Sequence, residues 1–267
     1  MNKAIKKHEI KAIFFDIDGT LLSFKTHSVL PSTVEAFSRL RKEGIKLFVA
    51  TGRTLNEINN LDDLTFDGYI TMNGAYCVDA AHKLIHKEVI PPEDIEALFR
   101  YLKEKEPFPC VLATQEEDVM NHVNESVLEL TRMVDLPVPK IKDFGEMAND
   151  QILQMVIFVD KQKEIELMQN VLVNCHVNRW HPSFADVNRS GVSKQLGIDR
   201  MLEYHKIDLS ETMAFGDGGN DIQMLQHVAV GIAMGNANDE VKRVAGYVTD
   251  SIDNDGIWNA LQRFLWH

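Results

Sequence analysis

The chain has 267 residues, a formal net charge of −12, 45% hydrophobic and 25% charged residues, a globular composition with room for one large domain or two modest ones. The acidic balance excludes a broad electrostatic attraction to nucleic acid or to an anionic membrane. Three cysteines without CxxC spacing, a basic start with only a short apolar run after it, and no apolar run of spanning length predict reduced thiols in a cytoplasmic protein with no signal peptide or membrane span.

In chain order, the run Ala12-Ile13-Phe14-Phe15 predicts a buried parallel strand that ends in Asp16-Ile17-Asp18-Gly19-Thr20. Side chains alternate along a strand, so Asp16 and Asp18 lean to one side. Two acids at the end of a buried strand call for a cation, a shared proton or both. Gly19 lets the backbone turn sharply there. A calcium loop opening at Asp16 would need Glu at its twelfth position, where this chain has His27.

A helix is expected after Pro31, with Ser32 as N-cap, Glu35 completing a capping box, Val34, Phe37 and Leu40 as the apolar stripe and Gly44 at the stop. A second strand over 45–50 ends in Thr51-Gly52-Arg53, which makes a parallel strand–helix–strand unit. A helix over 55–61 and a strand over 69–72, ending in Asn73-Gly74, follow. The alternation then breaks. Strands over 75–78, 84–89, 110–114, 152–159, 176–180 and 184–187 mix with helices near 92–103, 121–133 and 164–173, as in an α+β insertion. It resumes with a helix over 194–205 and a strand over 212–215 that ends in Gly216-Asp217-Gly218-Gly219-Asn220-Asp221. A helix to about 226, a strand over 230–233, a helix over 239–245, a short strand over 247–249 and a helix over 255–266 complete the chain. The expected architecture is an α/β, Rossmann-like parallel-sheet core from residues 1–82 and 188–267, with an inserted α+β cap over 83–187.

Ligands of an open parallel sheet bind outside the carboxyl ends of its strands, which gathers Asp16, Asp18, Thr51, Gly52, Arg53, Asp217, Asn220 and Asp221. Taken singly, Thr51-Gly52 is a turn and Lys194 a solvated helix lysine; taken together and in order they read as one site. Asp16, Asp18 and Asp217 supply the hard oxygen donors that suit Mg²⁺. Thr51, Lys194, Asn220 and loop N–H groups suit a phosphate. A carboxylate that attacks phosphorus gives an acyl phosphate, a second carboxylate serves as acid and then base, and a cation with a lysine spreads the transferring charge.

Asp16-Ile17-Asp18-Gly19-Thr20, Thr51, Lys194 and Gly216-Asp217-Gly218-Gly219-Asn220-Asp221 resemble, in order, the motifs of the haloacid dehalogenase superfamily. The Thr51-Gly52-Arg53 and Asn73-Gly74-Ala75 phrasing resembles its Cof-type sugar-phosphatase branch, whose α/β cap lies between the second and third motifs. The resemblance implies Asp16 as nucleophile and Asp18 as general acid/base. It implies phosphate binding by Thr51, Gly52, Arg53, Lys194 and Asn220. Mg²⁺ would rest on Asp16, Asp18 through its backbone carbonyl, and Asp217, with Asp221 nearby. The implied function is phosphate release from small phosphorylated metabolites, with a phosphomutase or a phosphoaspartate switch as alternatives. Specificity is expected from the insertion, whose last segment runs Arg179-Trp180-His181-Pro182-Ser183-Phe184-Ala185-Asp186.

Overall fold

The computed structural model of the chain describes residues 10–58, 60–61, 64–105, 107–147 and 149–266, leaving aside the side chain of residue 180. The strands are β1 (Ala12–Phe15), β2 (Lys46–Ala50), β3 (Gly68–Thr71), β4 (Tyr76–Asp79), β5 (Leu84–Lys87), β6 (Cys110–Ala113), β7 (Asp118–Met120), β8 (Lys140–Ile141), β9 (Gln154–Ile157), β10 (Cys175–His181), β11 (Phe184–Arg189), β12 (Thr212–Gly216), β13 (Val230–Ala233) and β14 (Tyr247–Val248). The helices are α1 (Pro31–Lys42), α2 (Pro92–Glu104), α3 (Glu125–Val134), α4 (Lys161–Asn170), α5 (Lys194–His205), α6 (Ile222–His227), α7 (Asp239–Val244) and α8 (Gly256–Leu265).

The first sheet has the order β14-β13-β12-β1-β2-β3-β4-β5. It is parallel from β14 to β3 and antiparallel at β4 and β5. β1 sits at its centre because every residue of Ala12–Phe15 is apolar and both faces of a covered parallel sheet are dry. Ile13 and Phe15 pack on one face with Phe37 and Leu40 of α1 and Leu261 of α8. Ala12 and Phe14 pack on the other with Ile198 and Met201 of α5. Each fully buried Phe contributes about 2–3 kcal/mol of transfer free energy. This is an α/β, Rossmann-like fold.

The second sheet has the order β10-β11-β9-β6-β7-β8 and is antiparallel except at β7–β8. Its alternation sorts Cys110 and Leu112 toward α2 and α4, while Val111 joins Met120, Val127 and Phe184 on the opposite face. α3 is capped at Asn124, whose side chain accepts the Val127 N–H.

Three expectations change. α1 begins at Pro31, whose fixed φ suits the first helical position. Ser32 therefore falls inside the helix, and its hydroxyl donates to Asp255 Oδ1 at 2.5 Å instead of capping. Val34 is exposed rather than part of the buried stripe. Among the described residues of the helix expected over 55–61, a short 3₁₀ turn forms at Leu55–Glu57, where the Glu57 side chain accepts the Thr54 N–H at 2.8 Å. Cys77, Cys110 and Cys175 are buried free thiols. Among the described residues no helix is long and apolar enough to cross a membrane.

Candidate active site

β1, β2 and β12 end side by side, so parallel pairing alone brings Asp16, Thr51 and Asp217 to one rim. Asp16 lies one residue past β1 and its N–H still bonds Phe215 O, at 3.1 Å. Gly19 turns the chain back at φ +84°, and a Cβ there would collide with the Asp217 carboxylate. Thr20 Oγ1 then donates to Asp217 Oδ1 at 2.9 Å.

Lys194 is the first residue of α5, capped by Ser193, and it is fully buried rather than solvated. Its Nζ donates to Asp16 Oδ1 and to Asp221 Oδ1, both at 2.6 Å. Asp221 Oδ2 accepts the N–H groups of Asp217 and Gly218, at 2.9 Å each. One ammonium thus orders the nucleophile candidate and, through Asp221, the glycine-rich loop.

Carboxylate oxygens of Asp16, Asp217 and Asp221 lie within 4.8 Å of one another. Burial pushes the Asp16 carboxyl up to about 7, with Lys194 opposing and Asp221 and Asp18 adding to the rise. Burial, then Asp16 and Asp221, hold Asp217 well above the ordinary carboxylate range. Burial works against the Lys194 ammonium, yet the two acids beside it raise its pKa above the ordinary lysine value. Three acids share one lysine, so a divalent cation with oxygen preference fits this donor set and would let all three ionise.

Asp18 is not part of that trio. Its carboxylate is gripped by Arg53, Nε to Oδ2 at 2.8 Å and Nη2 to Oδ1 at 2.6 Å. Sequence grouped Arg53 with the phosphate-binding residues. The structure directs its remaining donors to the carbonyls of Glu57 and Val134, at 3.1 Å each, the latter beneath the second sheet. Thr51 Oγ1 accepts the Arg53 N–H at 3.1 Å, which leaves the hydroxyl proton for a ligand. Asn220 Nδ2 bonds Asn73 Oδ1 at 2.9 Å.

These groups floor a cavity of about 340 Å³ that Asp16, Thr51, Gly52 and Asp217 share with the second sheet. The roof is apolar, with Val111, Leu130, Met133, Leu136 and Val156, and carries His181 and Asp186 as polar points. Sequence reading picked out the segment that bears His181 and Asp186 but not the apolar roof. Alternation along β6 and β9 was the available signal for Val111 and Val156. In that segment Arg179 is spent inside the second unit, on Glu164 Oε2 at 2.5 Å and on the Val159 and Pro182 carbonyls at 2.8 and 2.7 Å. Phe184 is buried core, and the Trp180 side chain lies outside the described part. Asp118, which the sequence did not flag, also lines the cavity; burial and then Glu57 raise its carboxyl to about 7.

The Rossmann-like α/β fold and the acidic cleft together define a hydrolase of the phosphoryl-transfer class. The family model for haloacid dehalogenase-like hydrolases matches residues 13–261. The chain belongs to that family, in its Cof-type branch, and is a phosphoric monoester hydrolase. It is 34% identical to the protein named "Putative phosphatase YkrA" of Bacillus subtilis, over 94% of this chain and 96% of the relative. The solved structure of BT4131, described as a haloacid dehalogenase subclass IIB sugar phosphatase, is 43% identical, with a TM-score of 0.89 over 95% of this chain and 98% of the other. BT1666 of Bacteroides thetaiotaomicron is 39% identical, with a TM-score of 0.88 over 96% of each chain.

Proposed function

We propose that the protein hydrolyses monophosphate esters of small polyhydroxylated metabolites, sugar phosphates among them, through an acyl phosphate on Asp16. The observation that carries this reading is the buried Asp16–Lys194–Asp221 line, whose Asp16 end opens into the cavity between the two sheets. Lys194 holds Asp16 Oδ1, and the other carboxylate oxygen attacks phosphorus. The bond from phosphorus to the ester oxygen breaks as that one forms, and Asp18 gives its proton to the departing oxygen. Asp18 then takes a proton from water, whose oxygen attacks phosphorus and restores the Asp16 carboxylate. Thr51, Gly52, Lys194 and Asn220 hold the phosphoryl oxygens. Bound Mg²⁺, held by Asp16, Asp217, Asp221 and the Asp18 carbonyl, would offset the negative charge of the transferring group.

The second sheet with α2, α3 and α4 acts as a cap over the first sheet; the boundary differs from the expected 83–187, because β5 (Leu84–Lys87) pairs with β4 in the first sheet and β11 runs on to Arg189 in the second. Its apolar roof excludes water and meets the apolar face of a sugar ring, while His181 and Asp186 meet hydroxyls. The sugar-phosphatase name of the 43% identical BT4131 supports this substrate class. The test is phosphate release across a panel of sugar, polyol, nucleoside and amino-acid phosphates. Turnover confined to polyhydroxylated esters is expected; indifference to the leaving group, or none released, counts against it.

A further inference from the structure

Met72, Asn73 and Gly74 stand in a row at φ 49°, 56° and 102°. Such backbone is sparsely populated outside glycine and asparagine and persists only where its surroundings hold it. A Cβ at Gly74 would collide with the Ser193 carbonyl, so the turn is pressed against the start of α5, just before Lys194.

The turn delivers one buried amide to a junction. Asn73 Nδ2 donates to Gln154 Oε1 at 3.0 Å and to Asp186 Oδ2 at 2.9 Å, both in the second sheet. Its Oδ1 accepts from Asn220 Nδ2, and its own N–H bonds Thr51 O at 2.9 Å. Gln154 Nε2 in turn donates to Gly52 O at 2.8 Å. Both amide hydrogens and the amide oxygen are therefore used, each on a different segment. A buried amide with all its donors and its acceptor engaged is held in one orientation.

We infer that Asn73 is a positioning residue that ties the seating of the second sheet, through Gln154 and Asp186, to Asn220 and the Thr51–Gly52 loop. The phosphoryl-binding end is in register when the roof is down and slack when it is up. This rests on the phosphatase reading, because Asn220 and Thr51 are there assigned to the phosphoryl group.

The test uses the full chain with Mg²⁺, para-nitrophenyl phosphate as substrate and inorganic phosphate as inhibitor. Asn73→Gly removes the amide yet accepts the left-handed backbone. It should lower kcat about 10- to 100-fold and weaken phosphate inhibition about tenfold, as a displaced contact does. Asn73→Asp sets a second carboxylate against Asp186 and should be worse. Asn73→Asp with Asp186→Asn exchanges donor and acceptor and should regain at least about threefold of the lost kcat. A lower Tm with wild-type kcat and phosphate inhibition would show a merely structural amide and overturn the inference. Should Asn73→Gly not fold, Gln154→Met cuts the same link from the roof, and wild-type inhibition there would overturn it equally. An active wild type with indifferent variants defeats this inference alone; a wild type that releases no phosphate from any ester defeats the phosphatase reading with it.

Discussion

Arg53 closes on Asp18 with two parallel hydrogen bonds, at 2.8 and 2.6 Å, while the same guanidinium bonds the Val134 carbonyl of the roof at 3.1 Å. The fork geometry matters, because lysine is a point charge and cannot hold both carboxylate oxygens in one plane. Arg53→Lys should therefore lower kcat about 10- to 100-fold, with a smaller change in KM for a small generic ester. Steady-state kinetics check this; wild-type kcat in the Lys variant would show that Asp18 does not depend on the fork.

The acidic trio makes metal affinity depend on pH. Burial, chiefly, pushes the Asp16 carboxyl from its ordinary value of 3.8 up to about 7. Between those values the folded protein holds a proton that the unfolded chain has lost. This group's contribution to stability is thus largest at low pH and declines as pH rises to about 7. A divalent cation must displace that proton. The Tm gain on adding Mg²⁺ to chelated protein should widen from pH 5 to pH 8, and apparent affinity should rise by up to about tenfold per unit over the same range. A gain that is flat or shrinks with rising pH would contradict the assignment.

Arg179 and His181 are two residues apart and should behave differently. Arg179 pairs with Glu164, which is only 2% exposed and is also held by Lys161, so Arg179→Ala takes one of two cations from a buried carboxylate and should cost about 1–3 kcal/mol. The loss of activity should be uniform across substrates. His181 lines the cavity, so His181→Ala should change kcat/KM unequally among substrates and spare the small generic ester. Thermal melts together with kcat/KM over three esters separate the two outcomes.

The first sheet was legible because its strands are uniformly apolar, end in glycine and acid, and alternate with helices. The acids at Asp16 and Asp217 were legible for the same reason: a buried strand that ends in charge has few structural explanations. What Arg53 holds was not legible, since a guanidinium after Thr-Gly suits a phosphate and a carboxylate equally well, and only the 35-residue return to Asp18 decides it. Asn73 was visible as part of a phrase but not as a junction, because three of its four partners lie 81 to 147 residues away. The second sheet was hardest. β7 and β8 are two or three residues long, too short for a period to show. Leu55–Glu57 misled because apolar spacing favours a helix there, while the Glu57 side chain, bonded to the Thr54 N–H, closes the turn early.

The nucleophile is the central claim, and Asp16→Asn tests it most directly. The amide matches the carboxylate in size, keeps an oxygen for Lys194 and cannot form the acyl phosphate. Phosphate release by the folded variant with Mg²⁺, measured against the wild type on its preferred ester, should fall by at least about 10³-fold with an unchanged circular dichroism spectrum. Near-normal release from folded Asp16→Asn protein would contradict the account.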